Sequence, residues 1–296
     1  MDIRRIKVPV ATIWKRKDAS RPIDKDAVQG NGKKWVEDMS DQQTIELCDD
    51  DLLSTQALFN DEVIVDKIED NWARVFVVGQ KDDSDRRGYP GWVPLNLLTD
   101  KTVVYPPVTS SVRIAQPTTE LYDQQKNPIM EIVMGTTFSQ IASEPDWLKV
   151  STPLGDGYIK SNSIVLPVTG ENGGDTMINI GKQFLGKRYL WGGTTPYGFD
   201  CSGFVYALHR VLGFSIPRDA DDQQKNGINI STDELMPGDL VFFAYEHGQG
   251  YVHHVGMYIG QGKMIESRTP GKVVDIASLT EPNFASQFAG FRRYWR

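Results

Sequence analysis

The stretch Gly198-Phe199-Asp200-Cys201-Ser202-Gly203-Phe204-Val205-Tyr206-Ala207-Leu208-His209-Arg210-Val211-Leu212-Gly213 decides how the C-terminal part of this chain is read. Phe204, Val205, Leu208, Val211 and Leu212 fall at i, i+1, i+4, i+7 and i+8, a single apolar stripe at helical spacing, and Gly213 supplies a stop. A helix from Cys201 to Leu212 follows, and its first turn carries a cysteine. Unpaired backbone N–H groups and the helix dipole favour an anion at that end, so the position suits a thiolate. The competing reading is a small buried hydrophobe, because free cysteine is among the most buried residue types.

A nucleophilic thiol needs a base, and the four histidines are His209, His247, His253 and His254. His209 lies eight residues along the same helix, about 12 Å of rise from Cys201, too far to share a proton directly. His247 sits in the turn-like run Glu246-His247-Gly248-Gln249-Gly250 and reads as a solvated loop residue. His253 and His254 are adjacent in a strand-like run, so their side chains face opposite sides. The side of His253 continues with Val255, Met257 and Ile259, a packed face that suits a structural histidine; the side of His254 continues with Gly256 and Tyr258. Twelve residues beyond His254, on the next expected strand, Glu266 stands where a carboxylate can hold an imidazole in one tautomer. A surface carboxylate is the alternative for Glu266.

Working outward, Thr169-Gly170-Glu171-Asn172-Gly173-Gly174 reads as a linker, followed by helix-compatible sequence from Asp175 and a loop at Tyr189-Leu190-Trp191-Gly192-Gly193. After the Cys201 helix come β-like runs at 238–243, 253–259 and 263–266, the pattern of an α+β domain. Upstream, two stretches share one grammar. The first runs Asp61-Glu62-Val63-Ile64-Val65-Asp66, then Asp70-Asn71-Trp72-Ala73-Arg74-Val75, and closes on Gly91-Trp92-Val93-Pro94. The second runs Gly135-Thr136-Thr137-Phe138-Ser139-Gln140, then Pro145-Asp146-Trp147-Leu148-Lys149-Val150, and closes on Gly157-Tyr158-Ile159. Short alternating runs broken by Gly, Pro and Asp predict two small all-β barrels, and the grammar resembles that of the bacterial SH3-like domains. The first holds a charged insertion, about Lys15 to Leu53, that a minimal barrel does not need; it reads either as a functional element or as a solvated decoration. Three domains are expected, at 1–100, 101–167 and 168–296.

Composition removes other classes. Hydrophobic residues are 40% and charged residues 24%, the profile of a folded chain, and 32 basic against 39 acidic residues gives −7, so the basic footprint of a nucleic-acid binder is absent. With only Cys48 and Cys201, neither a disulfide scaffold nor a cysteine-rich zinc site can form, although a conditional disulfide between the two stays open. No run approaches about 18 apolar residues, and charges interrupt the amino-terminal Met-Asp-Ile-Arg-Arg-Ile-Lys before a signal-type apolar run can form. The expectations are a cytoplasmic monomer with no membrane or nucleic-acid partner and no metal or organic cofactor.

Together, Gly193, Gly198-Phe199-Asp200-Cys201-Ser202-Gly203, Pro237-Gly238-Asp239-Leu240-Val241-Phe242-Phe243 and His254-Val255-Gly256-Met257-Tyr258-Ile259-Gly260 resemble the NlpC-type cell-wall cysteine peptidases, a circularly permuted branch of the papain-like fold, over about Asp175 to Arg296. The resemblance implies Cys201 as nucleophile, His254 as base and Glu266 as the orienting third member. The third position is most often His in that family; a carboxylate can orient the ring and stabilise the imidazolium as well, with a different pH profile. Tyr189 maps to a family tyrosine whose hydroxyl, with the backbone N–H of Cys201, would bond the developing oxyanion. Pro217-Arg218-Asp219-Ala220-Asp221-Asp222-Gln223, behind two SH3-like repeats, resembles the γ-D-glutamyl-L-diamino-acid endopeptidases of the dipeptidyl-peptidase VI type. That likeness implies cleavage after the D-Glu of murein peptides with a free amino-terminal L-Ala. Such a substrate needs an acid at one end of its site and a cation or donors at the other. Asp200, Ser202, Arg218 and Asp219 are the expected polar set around the D-Glu, with Trp191 as an apolar wall. If the first SH3-like domain closes the end of the cleft, Tyr89 and an acid of the insertion read the amine: Glu46, with Glu37 and Asp38 as competitors. Competing readings are a secreted wall endopeptidase anchored by its SH3-like domains, a related acyltransferase, and a degenerate binding protein, the last disfavoured because Cys201 and His254 are both present.

Overall fold

Alternation of apolar and polar residues between Asp2 and Pro94 produces six short strands that pair antiparallel in the order Asp2–Arg5, Glu62–Glu69, Trp72–Val77, Tyr89–Pro94, Val10–Trp14, Leu53–Leu58. Their inward positions, among them Ile13, Ala57, Val63, Val75 and Val93, form one buried core. The computed structural model describes residues 1–100, 110–165 and 173–295. The expected domain boundaries after residues 100 and 167, and the linker run from Thr169 to Asn172, border or fall within the stretches outside the described residues. Gly173 and Gly174, expected in that linker, instead begin the helix Gly173–Gly181. Packing explains the composition there: a Cβ on Gly174 would come within 2.0 Å of the Pro237 carbonyl oxygen.

The insertion of the first domain is helical, with Lys25–Val28, Gly32–Asp38 and Asp41–Asp49. Ser40 caps the last of these and forms a reciprocal box with Gln43. These helices lay Trp35, Val36, Met39 and Leu47 against Trp14, Leu53, Leu190 and Tyr197, so the insertion joins the first domain to the C-terminal one. Inside it, the buried carboxylate of Asp24 accepts from Trp35 Nε1 at 2.8 Å and from Arg21 Nη2 at 2.9 Å.

Residues 111–165 form a seven-stranded antiparallel sheet around Val112, Ile114, Leu121, Ile132, Phe138, Val150 and Ile159. Phe59 of the first domain enters this core, 6.1 Å from Phe138 between ring centroids. The C-terminal domain is α+β. Its six-stranded antiparallel sheet runs Ile228–Ile230, Phe288–Arg293, Leu240–Ala244, Val252–Gly260, Lys263–Ser267, Val274–Ser278. The apolar stripe of the helix Cys201–Leu212 packs against Leu240, Phe242, Val255, Met257 and Ile265 of that sheet. Gly213, at φ 88°, ends this helix in the left-handed conformation that glycine adopts without a Cβ clash.

Buried polar groups fasten the first domain to the C-terminal one. Gln56 Oε1 accepts from the backbone N–H of Thr194 at 3.1 Å and from Thr195 Oγ1 at 3.0 Å, and Gln80 bridges Gln56 to Thr55. Arg210 pairs with Asp61 and donates to the Gly135 carbonyl at 2.9 Å, tying all three domains together. No helix among the described residues is long and apolar enough to cross a membrane.

Candidate active site

Cys201 is the first residue of its helix, and Asp200 is the N-cap: Asp200 Oδ1 accepts from the Gly203 N–H at 2.6 Å. The thiol is thus held at the positive end of a twelve-residue helix. Across from it, the sheet presents His254, which is buried and lines the same cleft as Cys201. His254 Nε2 engages Glu266 Oε2, leaving Nδ1 for the thiol. Glu266 comes from the neighbouring strand and is fully buried. Gly256, on the same face as His254, makes the space: a Cβ there would stand 2.6 Å from Met264 Sδ and 3.5 Å from the Glu266 Cβ. Phe243 and Phe284 stack on the imidazole at 5.8 and 6.0 Å between centroids, fixing its plane.

Burial alone would lower the pKa of His254. The hydrogen bonds to Cys201 and Glu266, with the negative charge of both groups, outweigh it and raise the value to about 9. The arrangement is therefore suited to an imidazolium beside a thiolate, with a carboxylate orienting the ring. Tyr189 is also buried at the cleft, where desolvation and then the charges of Cys201 and Asp200 push its hydroxyl pKa well up, so it remains a proton donor.

These groups open on a cleft of about 650 Å³ that the first domain helps to wall. Tyr89, Tyr189, Trp191, Asp200, Ser202, Arg218 and Asp219, all expected from the sequence, line it. Arg218 is fully buried behind the wall, donating to Asp200 Oδ2 at 2.6 Å, Ser202 Oγ at 2.9 Å and Thr55 Oγ1 at 2.9 Å. Where this cleft adjoins a second cavity, Tyr89 donates to Asp219 Oδ2 at 2.7 Å. The Asp219 side chain is 44% exposed, yet the surrounding walls desolvate it enough to raise its pKa against the pull of Arg218. Trp191 is more than an apolar wall, since its Nε1 donates to Asp51 Oδ1 at 3.2 Å.

Glu46 is a correction. It does not line the cleft; its carboxylate turns to Arg21 Nη1 at 3.1 Å. Nor do the competitors: Glu37 lines a separate cavity and Asp38 pairs with Lys34 on the surface. The acid that the first domain does bring to the cleft is Asp51, just past the helix that bears Glu46. Cys48, Lys15, Tyr245, Tyr251 and Arg268 also line it and were not singled out from the sequence, since all but Cys48 come from loops or element ends. Both cysteines are free thiols; burial and nearby aspartates push Cys48 up to about 11. Of the remaining histidines, His209 is buried with Nδ1 donating to the Val205 carbonyl at 2.7 Å, His253 bonds Gln287, and His247 is exposed. No group of three or more His, Cys, Asp or Glu side chains placed for a metal occurs among the described residues.

Comparison with known proteins agrees with this architecture. The pattern described as the NlpC/P60 family matches residues 186–293, and the YKFC SH3b2 domain matches residues 114–174. A protein of Bacillus subtilis strain 168 named γ-D-glutamyl-L-lysine dipeptidyl-peptidase is 38% identical over 96% of this chain and 96% of its own length. Its namesake from Bacillus cereus is 36% identical over 98% of this chain and 90% of that one. The crystal structure of an NlpC/P60 family protein from Bacillus cereus superposes with a TM-score of 0.89 at 33% identity, over 99% of this chain and 100% of the other. With a thiol, an imidazole and a carboxylate in register, and relatives matched from end to end, this chain belongs to the NlpC/P60 family.

Proposed function

We propose that this chain is a cysteine peptidase that hydrolyses the bond between γ-D-Glu and the L-diamino acid of murein peptides bearing a free amino-terminal L-Ala, releasing L-Ala-γ-D-Glu. The observation that carries this reading is the Tyr89–Asp219 pair, which sets a carboxylate of raised proton affinity in the cleft against a side chain of the first domain. A carboxylate there suits an ammonium, and a wall there suits a short amino-terminal stub. Names and lengths of the Bacillus relatives support the same reading.

In the proposed reaction the Cys201 thiolate attacks the γ-carbonyl carbon, and the carbonyl oxygen takes up the electron pair. The Tyr189 hydroxyl and the Cys201 backbone N–H stabilise that oxyanion. His254 passes its proton to the leaving amine as the C–N bond breaks, giving a thioester and a neutral imidazole. His254 then takes a proton from water, the hydroxide attacks the thioester, and C–S cleavage frees the dipeptide and restores the thiolate. Glu266 holds the ring throughout. Asp200 and Ser202, fixed by Arg218, face the D-Glu, and Trp191 forms the adjoining wall.

A net charge of −7 favours soluble fragments over an anionic wall polymer, so the reading extends to recycling of released wall peptides. Mass spectrometry of digests of L-Ala-γ-D-Glu-L-Lys-D-Ala and of its meso-diaminopimelate counterpart tests it. Release of L-Ala-γ-D-Glu by the wild type and none by Cys201→Ser is expected; retained turnover in the variant, or cleavage at another bond, contradicts it.

A further inference from the structure

A carboxylate as the residue that orients His254 creates a problem that a neutral imidazole does not have. A fully buried carboxylate needs a countercharge, because an isolated one costs many kcal/mol to desolvate. One oxygen of Glu266 is bound to His254. The other, Oε1, accepts no hydrogen bond from the described residues, and Nε of Arg268 stands 3.9 Å from it. Arg268 is in turn fixed: its Nη2 donates to Glu281 Oε2 at 2.7 Å, and its guanidinium lies 5.1 Å from the ring centroid of Phe284. That same ring stacks on His254.

We propose that Arg268 is a positioning residue for the hydrolysis, holding the Glu266 carboxylate aimed at His254. The need is greatest in the middle of the cycle. When His254 has given its proton to the leaving amine, the imidazolium is gone and Arg268 is the cation that remains beside Glu266. A carboxylate held in place at that moment keeps the neutral ring oriented to take the next proton, from water. The charged and titratable groups around this relay are Cys201 on its helix, His253 beside His254, and Glu281 and Asp275 around Arg268.

The inference rests on the assignment of Cys201, His254 and Glu266, and the variants separate the two. Steady-state kinetics on the free-amine tetrapeptide would compare the wild type with Cys201→Ala, Arg268→Gln, Arg268→Lys, Glu266→His and the double variant Glu266→His/Arg268→Gln. Arg268→Gln is expected to lower kcat by about tenfold or more with KM nearly unchanged, and Arg268→Lys to recover most of that loss. In the Glu266→His background, where the third residue needs no countercharge, Arg268→Gln should change kcat by less than about twofold. The pH profile gives an independent sign. Losing a cation near the imidazolium would by itself move the alkaline limb of kcat/KM upward, whereas a Glu266 carboxylate turned away from His254 moves it downward. A downward move is expected for Arg268→Gln. An equal loss in both backgrounds, a loss confined to KM, or an upward or unmoved limb overturns the role of Arg268. If Glu266→His has no turnover, the lysine rescue and the direction of the limb still decide. Residual turnover in Cys201→Ala would instead overturn the assignment beneath it.

Discussion

The hydroxyl of Tyr89 donates to Asp219 Oδ2 at 2.7 Å, joining a strand of the first β-domain to the residue that precedes the helix Ala220–Lys225 of the C-terminal one. Tyr89 is held in the sheet by pairing with Val77, and the bond fixes where the Asp219 carboxylate points. Losing one such bond weakens binding without touching the thiol. Tyr89→Phe is expected to raise KM for free-amine peptides about five- to tenfold, with kcat within about twofold. Steady-state kinetics checks this, and an unchanged KM with a lowered kcat would place Tyr89 in the chemistry instead.

The pH dependence follows from His254. Its folded-state pKa of about 9 exceeds the ordinary 6.5, so the stability it contributes is full below about 6.5 and is lost as pH rises through about 9. The imidazolium that the reaction uses disappears over the same range. Hence kcat/KM should hold to about pH 8 and fall with a midpoint near 9, while Glu266→Gln, lacking the negative charge, moves that midpoint down. A pH–rate profile of both proteins measures it; a midpoint near 7 in the wild type would contradict the ion pair.

His209 carries the opposite sign. Burial pushes its pKa down to about 4, so its contribution is full above about 6.5 and is lost as pH falls through about 4. The separation amounts to roughly 3 kcal/mol of acid-induced destabilisation. Urea unfolding at a series of pH values should give a shallower acid slope for His209→Leu than for the wild type, and parallel slopes would show that His209 does not titrate as a buried neutral group.

Arg218 shows how the cleft wall is held. It is the countercharge of the buried Asp200 that caps the Cys201 helix, and it reaches Thr55 in the first domain. Arg218→Gln leaves that carboxylate buried and uncompensated, a loss of about 3–5 kcal/mol. Adding Asp200→Asn should recover part of it, because the orphaned charge is then gone. Thermal melts of the single and double variants test this; a single variant that melts within about 2 °C of the wild type would contradict it.

Much of this was legible in the sequence where local chemistry and tertiary packing agree. The Cys201 helix has its cap, its apolar stripe and its glycine stop in one continuous run, and the structure ends it at the expected residue. Glu266 was readable because His254 and Glu266 lie on consecutive strands joined by a short turn. The insertion was opaque for a physical reason. Its helices are four to nine residues long, too short to persist alone, and they exist because Trp35, Val36 and Leu47 pack onto Trp14 and Leu190. A sequence cannot tell which face of so short a helix meets the cleft, which is why it points to Glu46 where Asp51 lines the cleft. Arg268 is not legible in the sequence, because its meaning depends on Glu266 being buried with one oxygen unbonded, which only the assembled sheet reveals.

Selectivity for a free amino terminus, conferred by the first domain and Asp219, is the core of the proposed function. Its most direct test is the ratio of kcat/KM for L-Ala-γ-D-Glu-L-Lys-D-Ala to that for the same peptide acetylated on its amine, in the wild type and in Asp219→Asn. A ratio of about a hundred or more is expected in the wild type, collapsing toward one in the variant. Equal cleavage of the two peptides by the wild type would contradict it, and would mean a cleft open to longer wall strands.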